Sequence, residues 1–529
     1  MNPLLLVDSY KIHHTRMYPE GMTKLYSNFT PRKSRIAGID EVVVFGIQHF
    51  ILEYLIDKFN KEFFYFSLGN RKKLEEIGKD FILDDTKQRV ITEYKRHCDV
   101  DTTHIEALWD LGYLPIEIKA LEEGTLCPIG VPMLTITNTH ADFAWLVNYL
   151  ETLISCMLWQ PVTSATIAYE YKKILEKYAI ETTGSTEGVQ WQGHDFSMRG
   201  MSSPESAILS GMGHLLSFTG TDTIPAIYKL ESSYKAEGLI GASVPATEHS
   251  VMCMGEKESE IETFKRLLDL YPKGILSVVS DTWNLWKVIG DFLPQIKEQI
   301  LARDGKLVIR PDSGDPIRII CGYELDELEI IRPEDKGFNY RDKETGKDLT
   351  YESRHGVIEL LWDIFGGTVN TQGYKVLDSR IGAIYGDSIT TERAIQICER
   401  LKAKGFASTN IVLGIGSYTY QYNTRDTFGF AMKATGGEVN GEWKEIFKDP
   451  ITDDGTKKSK KGLLVVTQGW QNTNNVIKDA IGVVDQCTWE QESGKGNMIQ
   501  LLTTVFKDGK LVRETTLDQI RTKLNRYAS

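Results

Sequence analysis

The amino-acid sequence predicts an α/β protein: an irregular barrel of parallel strands, joined to a second, mixed and β-rich domain built from both chain ends. Three observations predict it. Short apolar runs that end in polar residues recur through the centre of the chain. Several of those ends lie about thirty residues apart, the length of a strand, a loop, a helix and a return. The two flanks of the chain do not share the pattern.

In chain order, residues 1–160 mix helical patterns with strand-like stretches such as "LPIEIKALEEGTL" and "PMLTITNT". The recurrent pattern then begins. "GVQWQGHDFSMRG" ends at His194, Asp195 and Arg199, "LLSFTGTDT" at Asp222, and "GASVPATEHS" at Glu248 and His249. "ILSVVSDTW" ends at Ser280 and Asp281, "KLVIRPDSGD" at Arg310 and Asp312, "IGAIYGDSIT" at Asp387, and "TNIVLGIGS" at Gly416 and Ser417. Helical patterns fill the gaps: "SPESAILSGMGHLL", "EKESEIETFKRLLDLY" and "ITTERAIQICERLKAKG", the last closing at Gly405 as a helix stop should. Alternating strands and helices with a polar cluster after each strand predict a TIM-like barrel whose site lies at the C-terminal face.

The step from Asp312 to Asp387 is too long for one unit, and its charged stretch predicts an inserted surface excursion at about 325–375. The tail stretches "KGLLVVTQGW" and "LLTTVFKDGKLV" predict antiparallel strands, the second pair joined by a "KDGK" hairpin turn. The expected division is 1–180 for the first part of the mixed domain, 181–430 for the barrel, and 431–529 for the rest of the mixed domain.

A chain of 529 residues exceeds one ordinary core, and its 41% apolar and 25% charged residues are those of a soluble globular protein. A net charge of −12 disfavours binding to nucleic acid or to anionic membranes, although a pocket can still gather a few cations. The seven cysteines are scattered, with no C-x-x-C pair, which argues against a disulfide framework or zinc ribbon and for a reducing, cytoplasmic setting. The opening "MNPLLLVDSYKIHH" has too short an apolar run for a signal peptide, and no window is long and apolar enough for a membrane helix.

The chain has no P-loop, no complete dinucleotide fingerprint, no H-E-x-x-H and no G-x-S-x-G. What gathers at the strand ends is Arg199, His249 and Arg310 with Asp222, Asp281, Asp312 and Asp387. Arginine forks match phosphate oxygens, and aspartates beside them suit Mg²⁺ held through few direct ligands or the hydroxyls of a sugar. Glycines after strands let backbone N–H groups approach a phosphate. A phosphorylated sugar at a barrel mouth fits all of these. Taken singly, each has a plainer reading: Arg310 with Asp312 as an ion-paired strand end, His194 with Asp195 as a structural pair, His249 as a structural histidine and Phe196 as core.

The series "HDFSMRG", "GTDT", "SVPATEHS", "SVVSDTW", "VIRPDSGDP", "YGDS" and "FKDPITDDGTKKSKKG", in that order, resembles the nicotinamide phosphoribosyltransferases. "VDSYKIHHTRMYPEG" and "LPIEIKALEEGTLCPIGVPMLTITNT" extend the likeness over nearly the whole chain. The resemblance implies transfer of the phosphoribosyl group of phosphoribosyl pyrophosphate to nicotinamide, with Mg²⁺, in a cytoplasmic homodimer whose sites are shared between subunits. It implies that Phe196 stacks on the nicotinamide ring, with Tyr10 of the partner subunit on the other face, and that Asp222 accepts the amide N–H. Arg199, His249 and Arg310 then hold the diphosphate, and Asp312, Gly386 and Asp387 the ribose side. Ser417 and Arg425 form the 5′-phosphate site, joined by Arg32 of the partner subunit and Lys433 of the partner subunit. His249, with Asp281 and Asp312 the expected catalytic set, is also the histidine that ATP phosphorylates in the family. No residues are assigned as direct metal ligands.

The sequence departs from the family pattern at Ser417, where glycine is usual, at Ala431, where serine is, and at Asp315, where asparagine is. Rival readings are a nicotinate phosphoribosyltransferase, which Asp222 opposes, a nucleotide-binding homologue without turnover, and a barrel enzyme acting on another phosphorylated sugar.

Overall fold

The structure, a computed structural model, describes residues 1–64, 80–97, 100–331, 339–386, 388–448, 451–452, 460–473, 476–487 and 500–527. Asp387, part of the 447–462 motif and part of the 325–375 stretch lie outside the described residues. The chain divides into two compact units, one of residues 1–166, 229–236 and 423–529, the other of residues 167–228 and 237–422. The first division falls inside the long helix Glu151–Thr183. Among the described residues, no helix is long and apolar enough to cross a membrane.

The first unit is built on a seven-stranded antiparallel sheet. Its order is Glu442–Glu445, Ala431–Val439, Met22–Thr30, Leu134–Asn138, Ile116–Ala120, Thr503–Lys507 and Lys510–Leu511, so strands from the two chain ends interleave. Alternation sets the buried face: in Ile116–Ala120 the three apolar residues are buried and the two charged ones are not. The expected "KDGK" turn joins the last two strands, with Asp508 at φ 47° and Gly509 at φ 77°, the paired positive φ of a type I′ hairpin.

The second unit is a mixed α/β fold around a curled, six-stranded parallel sheet. Its order is Gly220–Thr221, Gly193–Asp195, Ile411–Ile415, Ile381–Tyr385, Asp304–Arg310 and Lys273–Val279. Six of the seven apolar runs are therefore strands, and all of them pair in parallel. The seventh, around 242–247, makes only isolated bridges, Ala242 to Gly220 at one edge strand and Ala246 to Ser277 at the other. Pro245 within it has no N–H to give, which explains why no continuous ladder forms.

The three helices expected between strands are Pro204–His214, Glu260–Leu270 and Thr391–Ala403. The 325–375 stretch differs from a bare surface excursion. Leu328–Ile331, Asn339–Asp342 and Asp348–Leu349 form a small antiparallel sheet. Arg318 bridges to Asp342 at 3.1 Å and Arg400 to Glu327 at 2.8 Å, tying the sheet to neighbouring helices. Helix Val357–Phe365 then buries Val357, Ile358, Leu360, Leu361 and Phe365 at helical spacing, so this part of the stretch belongs to the core.

One buried acid in this unit gives a pH signature. Glu260 opens helix Glu260–Leu270 and is 3% exposed, and its Oε1 has no hydrogen-bond partner among the described residues. Burial pushes its carboxyl up to about 7, opposed by Lys287. A folded-state value above the unfolded one means that stability is fully present below about pH 4.5 and is lost as pH rises through 7. Glu260→Gln should therefore stabilise the protein by about 1–2 kcal/mol at pH 8 and by almost nothing at pH 4.5. Urea midpoints at the two pH values check this, and equal shifts at both would refute it.

Candidate active site

The sequence-predicted residues of the second unit fall at the C-terminal ends of its parallel strands. Phe196 follows Gly193–Asp195, Asp222 follows Gly220–Thr221, and Asp281 follows Lys273–Val279. Arg310 ends its own strand, Asp312 is two residues on, Gly386 follows Ile381–Tyr385, and Ser417 follows Ile411–Ile415. Backbone hydrogen bonds lock these ends together: Asp222 N–H donates to Asp195 O at 3.0 Å, Phe196 N–H to Ile415 O at 3.0 Å, and Gly386 N–H to Pro311 O at 3.3 Å. Strand ends are where side chains escape the ladder, so a polar cluster can be held there on rigid supports.

Phe196 is half-buried, with its ring 4.5 Å from the His194 ring and the Arg310 guanidinium 5.8 Å from its centroid. A Cβ on Gly414 would stand 2.7 Å from Phe196 Cδ2, so only glycine lets the ring lie there. His194 Nε2 lies 3.2 Å from Asp222 Oδ1, and Ser243 Oγ donates to the same oxygen. Burial alone would raise the Asp222 carboxyl, but the bonds from His194 and Ser243, with Arg310 nearby, hold it below the usual carboxylate range. Asp222 is therefore ionised at neutral pH, with both protein bonds on Oδ1.

This overturns the pairing of His194 with Asp195. Adjacent residues of a strand point to opposite faces. Asp195 is fully buried and accepts instead from Ser197 N–H at 2.9 Å, Thr223 Oγ1 at 2.7 Å and Thr221 Oγ1 at 3.3 Å. It fixes the loops that carry Phe196 and Asp222.

The second cluster is His249, Asp281 and Asp312, whose ligating atoms all lie within 4.8 Å of one another. His249 Nε2 is 3.4 Å from Asp312 Oδ1, and its Nδ1 is 3.1 Å from Thr282 Oγ1. Asp281 Oδ2 accepts from Asp312 N–H at 3.0 Å, Ser313 N–H at 2.9 Å and Ser313 Oγ at 2.5 Å. Its Oδ1 is buried with no hydrogen-bond partner among the described residues. Burial first, then the Asp281 charge, raise the Asp312 carboxyl, opposed by His249 and Arg310. Two crowded carboxylates with an orphaned buried oxygen are what a divalent cation would relieve, so these residues fit Mg²⁺. Arg310 is not ion-paired directly to Asp312; its Nη2 donates to Thr247 O at 2.7 Å. Asp315 caps helix Pro316–Cys321 by accepting from Ile317 and Arg318 N–H.

Arg199 is exposed in the short turn Met198–Gly200. A Cβ on Gly200 would collide with the Ser417 side chain, so that turn and Ser417 pack together. The first unit carries the rest. Tyr10 is 61% exposed and, with Asp8, Glu151 and Arg425, lines a cavity of about 250 Å³. Arg32 Nε donates to Gly429 O at 3.1 Å. Partial burial, then the charges of Arg32, Lys448 and Arg425, lower the Lys433 ammonium, with Glu151 opposing. Arg32, Arg425 and Lys433 thus form one cationic cluster within a single chain, so Arg425 groups with the other two and does not face them from the opposite subunit. Sequence reasoning passed over Ser243, Thr282 and Ser313, whose hydroxyls sit inside the motifs "GASVPATEHS", "SVVSDTW" and "RPDSGD".

Comparison with known proteins shows the family of the chain. Residues 191–510 match the Nicotinate phosphoribosyltransferase (NAPRTase) family, and residues 2–91 match the Nicotinamide phosphoribosyltransferase, N-terminal domain. The chain is 48% identical over 543 residues to a nicotinamide phosphoribosyltransferase of Acinetobacter baylyi, covering 99% of this chain and 97% of the relative. It is 38% identical to one of Mycoplasma pneumoniae, over 86% of this chain and 94% of that one. In fold it is similar to the nicotinate-nucleotide pyrophosphorylase of Pyrococcus furiosus, with a TM-score of 0.56 at 13% identity, covering 99% of this chain and 95% of that one. The human nicotinic acid phosphoribosyltransferase gives the same TM-score at 14% identity, covering 98% and 93%. The chain belongs to the nicotinate phosphoribosyltransferase family, on the branch of the nicotinamide phosphoribosyltransferases.

Proposed function

We propose that this protein transfers the 5-phosphoribosyl group from phosphoribosyl pyrophosphate to nicotinamide, releasing diphosphate and forming nicotinamide mononucleotide, a step of NAD biosynthesis. The observation that carries the reading is Asp222, ionised and bonded through Oδ1 to His194, whose ring packs on Phe196, with the other oxygen left over among the described residues. Such an oxygen accepts an amide N–H and repels the carboxylate of nicotinate.

Phe196 and Tyr10 of the partner subunit hold the pyridine ring flat, so that its nitrogen lines up with C1 of the ribose. The N–C1 bond forms as the C1–oxygen bond to diphosphate breaks, and the electron pair leaves with the diphosphate. Arg310, Arg199 and His249 receive that negative charge. Asp312 and Gly386, with Asp387 beyond the described residues, hold the ribose, whose developing positive charge the carboxylates favour. Asp281 and Asp312 would hold Mg²⁺, which supplies charge neutralisation for the leaving diphosphate. Ser417 receives the 5′-phosphate, with Arg32 of the partner subunit, Arg425 of the partner subunit and Lys433 of the partner subunit. His249, with Asp312 on one ring nitrogen and Thr282 on the other, is the acceptor for ATP-coupled phosphorylation. The working form is a cytoplasmic homodimer, and residues 242–247 complete an irregular TIM-like barrel in the second unit.

The test is product formation from phosphoribosyl pyrophosphate and Mg²⁺ with nicotinamide or nicotinate at equal concentration. Nicotinamide should be preferred by about 10⁴-fold in kcat/KM, and Asp222→Asn should narrow that preference by at least tenfold. Product mainly from nicotinate would overturn the base assignment, and no product from either would overturn the reaction.

A further inference from the structure

Asp222 does not stand alone at the base site. Two donors from different segments meet on its Oδ1: His194 Nε2 at 3.2 Å, from the strand Gly193–Asp195, and Ser243 Oγ, from the segment that bridges the sheet edges. The His194 side chain is nearly buried, and its ring packs on Phe196 at 4.5 Å. Its seat depends on Gly220, because a Cβ there would stand 2.8 Å from His194 Nδ1 and 3.2 Å from Gly193 O.

We propose that His194 and Ser243 are positioning residues for base selection: by occupying Oδ1 from two sides they fix the carboxylate plane and leave Oδ2 as the acceptor for the substrate amide. The inference rests on the reading of Asp222 as the amide acceptor. A carboxylate with two anchors cannot rotate to meet other ligands, and its charge is kept by the donors. Among the described residues, the charged or titratable groups that act on it are His194 and, from the end of strand Asp304–Arg310, Arg310. Losing either anchor frees the carboxylate to take up a proton at higher pH, and a protonated Asp222 donates to the nicotinate carboxylate that the ionised form repels.

The device is invisible to contacts with substrate, since neither anchor is required to touch it. Its signature is therefore a split between kinetic constants. Removing an anchor should raise KM for the base while leaving KM for phosphoribosyl pyrophosphate within about twofold, whereas a general loosening of the site moves both.

The experiment compares wild type, Ser243→Ala, Ser243→Thr, His194→Leu, His194→Gln and Gly220→Ala, with both bases across pH 5–9. Ser243→Ala should lower the nicotinamide-to-nicotinate ratio of kcat/KM about tenfold and move the acid limb of the nicotinamide profile up by about one unit. Ser243→Thr, which restores a hydroxyl, should recover most of both. His194→Leu and Gly220→Ala should act alike, and His194→Gln, which keeps a donor, should be milder. Wild-type selectivity and an unmoved acid limb in Ser243→Ala would overturn the inference, as would equal rises in both KM values. A wild-type protein that makes no product, or prefers nicotinate, overturns the functional reading instead, so the two failures are distinguishable.

Discussion

Arg310→Ala is expected to lower kcat/KM by about 10³-fold, on the order of 4 kcal/mol of lost transition-state stabilisation, with little change in stability. Three features concentrate that effect on one side chain. Arg310 ends a strand of the parallel sheet, and its Nη2 bond to Thr247 O at 2.7 Å fixes the fork without using the other donors. Its guanidinium lies 5.8 Å from the centroid of the Phe196 ring, so on the proposed reading it serves the base as well as the diphosphate. Burial lowers its pKa, but Asp312 and Asp222 oppose that shift, and an arginine keeps its charge at neutral pH. A preorganised, half-buried cation stabilises a leaving anion far more than a solvated one does. Arg310→Lys should recover about tenfold of the loss, because an ammonium restores the charge and not the fork. A loss below tenfold in Arg310→Ala, read from initial rates at several concentrations of phosphoribosyl pyrophosphate, would remove this residue from the diphosphate site.

How much of this was legible depends on the range of the contacts involved. Parallel strands covered on both faces read as unbroken apolar runs, so the positions of Asp222, Asp281, Arg310 and Asp312 at strand ends could be read locally. What those side chains touch could not. His194 and Asp195 are neighbours in sequence, yet the pleat sends them to opposite faces, and His194 meets Asp222 instead. The cationic cluster of Arg32, Arg425 and Lys433 arises from pairing Met22–Thr30 with Ala431–Val439, in the register Thr30 to Ala431. No local pattern signals a contact across some four hundred residues; only the family resemblance placed those three together. The bridging segment 242–247 was expected as a strand, and its proline makes it an interrupted one.

Glu123 is the extreme case, and it carries the largest stability prediction. In "ALEEGTL" it reads as a surface glutamate of a turn, but it is 5% exposed in the first unit. Its Oε2 accepts from Gly46 N–H at 3.1 Å and Tyr234 OH at 2.8 Å, and its Oε1 accepts from Gln48 N–H at 2.7 Å. Gly46 and Gln48 open the helical run from Ile47, so the carboxyl satisfies two amides that the first helical turn leaves without partners. Gly46 is itself forced: its φ is 89°, and a Cβ there would stand 2.7 Å from Pro161 Cγ. Burial pushes the Glu123 carboxyl up, while the three hydrogen bonds and Arg513 pull it down. In either protonation state the three donors lose their acceptors when the side chain is removed. Glu123→Ala should therefore cost about 4 kcal/mol, from stranded buried donors and a cavity together. Glu123→Gln keeps one acceptor oxygen but turns an N–H₂ toward donors, and should cost about 2 kcal/mol. Tyr234→Phe, which deletes one donor to Glu123 and the acceptor of His49 N–H at 3.4 Å but leaves the other two carboxyl bonds intact, should cost about 1–2 kcal/mol. Denaturant unfolding of the three variants orders them. A Glu123→Ala cost no larger than that of Tyr234→Phe would mean that water reaches these amides, and that the carboxyl does not hold the helix start.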